Sequence, residues 1–147
     1  MNSRGKYKGI IKGMASENKL VQWETMLTWC QLWIEEENQK SQPLLELISQ
    51  LKELGFWQKY YPSQSHNSLG LSLGKNYKER LELPMVYISY NSSNKSFAIQ
   101  YQKGQGGETM LVDRGKSIYE NDFADIENWL NSIDNNSREQ INSKNEI

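Results

Sequence analysis

Residues 84–102 constrain this chain more than any other stretch. The runs "PMVYISY" and "SFAIQYQ" each alternate apolar and polar side chains, and "NSSNK" between them is made of turn-forming residues. Successive side chains of a strand point to opposite faces. Val86, Ile88 and Tyr90 therefore share one face, and Tyr87 and Ser89 the other. In the second run Phe97, Ile99 and Tyr101 lie opposite Ala98, Gln100 and Gln102. The pair reads as a hairpin with one greasy face and one wet face, which demands a cover of helices.

Three helical stretches can supply it. The first runs from Glu17 to Glu37 with Ser16 as N-cap. Leu20, Trp23, Met26, Leu27, Cys30 and Ile34 form one stripe, and Val21, Trp29, Leu32 and Trp33 a second apolar surface. Glu24, Thr28, Gln31 and Glu35 form the only polar strip, so this helix is expected between its neighbours, buried on more than one side. In "SQPLLELISQLKELG", Pro43 marks a first turn and Gly55 a C-terminal cap, with Leu44, Leu47, Ile48, Leu51 and Leu54 on one face. A last helix over residues 122–133, capped by Asn121 or Asp122, aligns Phe123, Ile126, Trp129, Leu130 and Ile133. "LGLSL" and "ETMLVDR" read as further strands, and "GFWQKYYPSQSHNS" as an aromatic-rich connection. The sum is an α+β fold: an antiparallel sheet of three to four strands with two N-terminal helices and one C-terminal helix packed on one face.

The 147 residues fit one domain. Its expected extent is residues 15–133, between a basic N-terminal segment, 1–14, and a polar disordered tail, 134–147. No apolar run reaches the ~18 residues of a membrane span. No secretory signal is legible, and a single cysteine permits no internal disulfide, so the expected setting is the reducing cytoplasm. Net charge is −1, but the charges are segregated. Residues 15–55 carry seven glutamates against three lysines, whereas residues 56–118 carry eight cations against four acids.

Catalytic sets are hard to assemble. His66 is the only histidine, and Cys30 falls on the inner stripe of the first helix as a small hydrophobe. One histidine and one cysteine in different elements do not make a transition-metal site. "KGQGGE" at 103–108 sits between two alternating runs rather than before a helix, so it reads as a hairpin turn and not a phosphate loop. Glu79 and Glu82 would do acid–base work only if the fold converged them on a cleft. No catalytic residue, metal or cofactor is assigned.

Two surfaces remain. Glu35, Glu36 and Glu37 crowd a helix C-terminus, where the helix dipole favours cations, and Trp33 stands beside them. An acidic cluster next to an aromatic suits capture of a basic protein, the charge steering and the ring anchoring. Lys95, Lys103, Arg114 and Lys116 with Tyr87 form the alternative, a basic surface that would meet phosphates and stack bases. The sequence thus favours a non-enzymatic protein-binding module, in concrete form a small cytosolic inhibitor or immunity-type protein that occludes a basic target such as a nuclease toxin. The alternative is a nucleic-acid-binding accessory domain that uses the basic turns of the sheet.

Overall fold

The structure, a computed structural model, describes residues 16–36, 41–65, 68–103 and 109–132. The basic segment 1–14 and the tail 134–147 lie outside the described residues, as do Glu37, His66, Ile133 and the glycines of "KGQGG". Five strands make one antiparallel sheet in chain order: β1 (Tyr61–Ser65), β2 (Ser68–Ser72), β3 (Pro84–Asn91), β4 (Ser96–Lys103) and β5 (Thr109–Gly115). The helices are α1 (Lys19–Glu36), α2 (Gln42–Glu53), α3 (Phe56–Lys59), α4 (Tyr77–Arg80) and α5 (Glu120–Asn131).

The α+β class and the central hairpin are as expected, with β3 and β4 paired from Pro84↔Lys103 to Asn91↔Ser96. Val86, Ile88, Tyr90, Phe97, Ile99 and Tyr101 are all buried on the helix-covered face. The strand count is five rather than three to four. The addition is β1, "YPSQS", which had read as part of a connection. Proline has no N–H to donate to a ladder and is therefore confined to sheet edges, and β1 is an edge. At the far end, Phe97 pairs with Gly115 and Ala98 with Asp113, so Arg114 is the extra residue of a β-bulge.

Each helix departs from its expected bounds for a local reason. Asn18, not Ser16, caps α1: its Oδ1 accepts the Val21 N–H at 3.0 Å, while Ser16 Oγ accepts the Asn18 N–H at 3.1 Å. Trp23, Met26, Cys30 and Ile34 are buried as the stripe requires, but Leu20 is 55% exposed. In that first turn Gln22 faces inward instead. Helix α2 buries Leu44, Leu47, Ile48 and Leu51 and leaves Leu54 out, because the helix stops at Glu53 and Leu54 is its cap. Gly55 follows with φ +85°, a left-handed conformation that side chains disfavour. Helix α5 starts two residues early, with Tyr119 as N-cap and Asp122 reaching back to accept the Tyr119 N–H at 2.9 Å.

The layering also differs from the expected stack. α1 packs against β1, α2 and α3, on the β1 side of the sheet, while α5 lies over the central β3. The second face is not wholly open. Ser72 and Met85 face each other across β2 and β3, opposite to Leu71 and Val86, and both are buried. The 73–83 connection, which contains α4, folds back at this end, with Arg80 Nε donating to the Gly74 carbonyl at 3.2 Å.

One aromatic junction joins the helices. The indoles of Trp23 in α1 and Trp57 in α3 stack 5.1 Å apart at 9°. Trp23 Nε1 donates to the Tyr60 carbonyl at 2.8 Å and Trp57 Nε1 to the Ile48 carbonyl at 3.2 Å. Phe56 meets Phe123 of α5 edge-on at 6.0 Å. Gly55 makes the turn that places Phe56 and Trp57 there. A Cβ at Gly55 would meet nothing within 4 Å, so its cost is backbone strain alone. Gly55→Ala should therefore lower unfolding free energy by about 1–2 kcal/mol, and Gly55→Asn by less. Urea denaturation measures both, and an alanine variant as stable as the parent would contradict the assignment.

Candidate functional site

The acidic end of α1 is built on the junction just described. Trp23, Met26, Cys30 and Ile34 fix one side of the helix in the core. That leaves Trp29 and Trp33, one turn apart, partly buried against the core with their indoles stacked at 5.6 Å and 6°. Glu24, Thr28, Gln31 and Glu35 form the exposed strip that periodicity required. Glu35 is thus exposed in the final turn, two residues from Trp33, and that turn holds no basic side chain. Among the described residues, the ion pairs are Lys59–Glu127, Lys75–Glu17 and Arg114–Asp122, and none engages Glu35. Glu36 closes the helix backbone, and Glu37 lies outside the described residues.

The basic set is not gathered into one surface. Lys95 lies in the β3–β4 turn with φ 55°, and Lys116 follows the strand residue Gly115, which pairs with Phe97 near that same end. Lys103 ends β4 at the opposite side of the sheet, about 24 Å away along the strand at 3.4 Å per residue. Its Nζ sits 5.9 Å from the Trp129 ring centroid. Arg114 is turned by the bulge toward Asp122, donating from Nε to Oδ1 at 2.7 Å and also from Nη2. Asp122 is 2% exposed, and this hydrogen-bonded pairing holds the Arg114 guanidinium above its ordinary pKa. Tyr87 is half-buried on the other face, its ring against the bare Cα of Gly70, where an added Cβ would stand 3.0 Å from Cε1. Burial pushes the Tyr87 phenol up, and the neighbouring Arg80 opposes it.

Glu79 and Glu82 are parted in role. Glu79 belongs to a helix cap: its N–H goes to Asn76 Oδ1 at 2.9 Å, and its Oε1 accepts the Lys75 N–H at 3.3 Å. Glu82 lies exposed in the turn after α4. Among the described residues no group of three or more His, Cys, Asp or Glu side chains stands close enough to hold a metal ion. None of the described helices is long and apolar enough to cross a membrane.

Two features escaped the sequence reading. The first is a polar network that joins α1 to the 73–83 connection. Gln22 Nε2 donates to the Ser16 and Lys75 carbonyls at 2.6 and 2.9 Å, and Gln22 Oε1 accepts from Arg80 Nη2 at 3.0 Å. Burial pulls the Arg80 guanidinium pKa down, with Tyr87, Glu79 and Tyr61 opposing. The legible signal was the Asn76-to-Glu79 spacing, which marks a helix start. The second is a groove of about 340 Å³ between β5 and α5, with Tyr101, Met110, Val112 and Trp129 on its walls and Arg114 and Asp122 at one end. Neither Glu79 nor Glu82 lines it. Comparisons with known protein families, with curated proteins and with solved structures return no match.

Cys30 is a packing residue. It is fully buried, and burial pushes its thiol up to about 11. At pH 8 roughly one molecule in a thousand would carry the reactive thiolate, three units below that value. An aromatic disulfide reagent at pH 8 should therefore label native protein far more slowly than urea-unfolded protein, and the rate should still be rising with pH above 9. Equal labelling of both states would show an accessible thiol.

Proposed function

We propose that this protein is a protein-binding module that uses the C-terminal half of α1 to engage a partner with a basic surface. One observation carries the reading. A stacked, partly exposed Trp29–Trp33 pair lies in the C-terminal half of a helix that exposes Glu35 on another side of its last turn, and that turn holds no basic side chain. A carboxylate in the last turn opposes the helix dipole by roughly 0.3–1 kcal/mol. A chain that retains such a placement at a helix end gives up stability where a ligand can restore it. Large flat rings supply contact area at low entropic cost, and the negative charge accelerates encounter with a cationic partner. The specific form of the proposal is an inhibitor or immunity-type protein that occludes a cationic target such as a nuclease toxin.

The test is affinity capture from host lysate, followed by titration of the purified partner at several salt concentrations. Wild-type protein should retain a basic protein whose affinity falls as salt rises. Glu35→Lys with Glu36→Lys should weaken that binding at least tenfold while leaving the fold as stable or slightly more so. Trp33→Ala should speed dissociation and weaken the complex more than any single change on the exposed strip of Glu24, Thr28, Gln31 and Glu35, whereas Lys95→Glu with Lys103→Glu should leave it intact. Retention of the partner by the double glutamate variant, or loss of it in the lysine variant, would overturn the assignment.

A further inference from the structure

The two edges of the sheet are treated differently. At β1 the chain places Pro62, which offers no N–H, and α1 packs alongside with Lys19 Nζ 5.1 Å from the Tyr61 ring centroid. Proline, lysine and a covering helix are the usual means of blunting an edge. At β5 the stretch from Thr109 to Asp113 holds neither proline nor lysine. Met110 is 53% and Leu111 64% exposed, on opposite faces of the strand, and Val112 is partly exposed. Among the described residues no strand pairs with this apolar edge on its outer side, and such an edge is a template for another strand.

We propose that β5 pairs antiparallel with β5 of a second copy, centred on Leu111, so that two five-stranded sheets become one of ten strands. The register follows from the strand itself. The bulge at Arg114 ends the regular ladder, so its regular part is Thr109–Asp113, whose middle residue is Leu111. Two-fold pairing about Leu111 sets Leu111 against Leu111, Met110 against Val112, and Thr109 against Asp113. Every apolar side chain then meets an apolar one, and each face of one sheet continues into the same face of the other. Centring on Val112 would set Asp113 against Leu111. Centring on Asp113 would bring two carboxylates together, which is unfavourable directly across a ladder.

The helices leave room for this arrangement. With α5 over β3, the two α5 helices would be separated by five strand spacings, about 24 Å at ~4.8 Å each. A helix with its side chains is about 10–12 Å across. Between them the two grooves merge into one trough floored by Met110 and Val112 of both copies. The surface involved is separate from Trp33 and Glu35, so the dimer and the binding of a basic partner stand or fall independently.

Sedimentation of the full chain from micromolar to about 1 mM spans the affinities expected of an interface this small. The mass should rise from 17.2 kDa toward twice that value. Leu111→Lys should keep the protein monomeric throughout with an unchanged circular dichroism spectrum, and Gln64→Lys on β1 should dimerise as the parent does. Under mild oxidation Leu111→Cys should give a disulfide-linked dimer, while Asp113→Cys, also at an exposed position, should give at least tenfold less. A parent that stays monomeric, a Leu111→Lys variant that still dimerises, or equal cross-linking at positions 111 and 113 would overturn the proposal.

Discussion

The contact on which the rest of the fold depends is the stack of Trp23 on Trp57. It is the place where α1, α2 and the sheet are held in common. Trp23 comes from α1, Trp57 from the short helix after Gly55, and their indole N–H groups reach the carbonyls of Tyr60 and Ile48. Both rings are nearly or fully buried, and burying an indole without a partner for its N–H would be costly. Here each finds a backbone carbonyl, so the aromatic area is buried without an orphaned donor. The same holds generally: among the described residues no buried side-chain nitrogen or oxygen lacks a hydrogen-bond partner.

Apolar packing supplies most of the stabilisation, but polar side chains decide how the pieces are set against one another. Gln22 and Arg80 fix the start of α1 relative to the connection between β2 and β3. Asp122 does the equivalent work at the other side. One carboxylate begins α5 through the Tyr119 N–H and also holds the bulged Arg114 of β5. A hydrophobic face alone would let α5 slide along β3; this cap fixes its start. Trp129 then ties its far end to the sheet through the Gln102 carbonyl at 3.2 Å.

What was legible in the sequence was whatever has a period. The alternation over 84–102 gave the correct faces, and the polar strip of α1 emerged residue for residue. What was not legible depended on position in the sheet or on contacts between distant residues. β1 read as part of an aromatic-rich connection; a strand holding Pro62 fits only at a sheet edge, and the sequence does not say which strands lie there. Gln22 had no place in either stripe or the polar strip, because its partners, Lys75 and Arg80, lie more than fifty residues away. Arg114 read as a free cation because a bulge is invisible to alternation, and the bulge is what aims it at Asp122. Of the candidate surface on α1, Trp33 and Glu35 were named from the helix-end conflict alone; the stacking of Trp29 on Trp33 was not foreseen.

The fastening of α1 is uneven along its length. Its first turn is capped by Asn18, and Gln22 and the Trp23 indole make directional bonds to two other segments, the 73–83 connection and Tyr60. Toward Glu35 the described attachments are ring on ring and methyl on methyl, through Trp29, Trp33 and Ile34. Directional bonds resist rotation about the helix axis, whereas greasy contacts tolerate small slips. The helix is therefore a rod clamped at its root and merely cushioned at its tip, and whatever touches the tip will feel compliance that the root does not have.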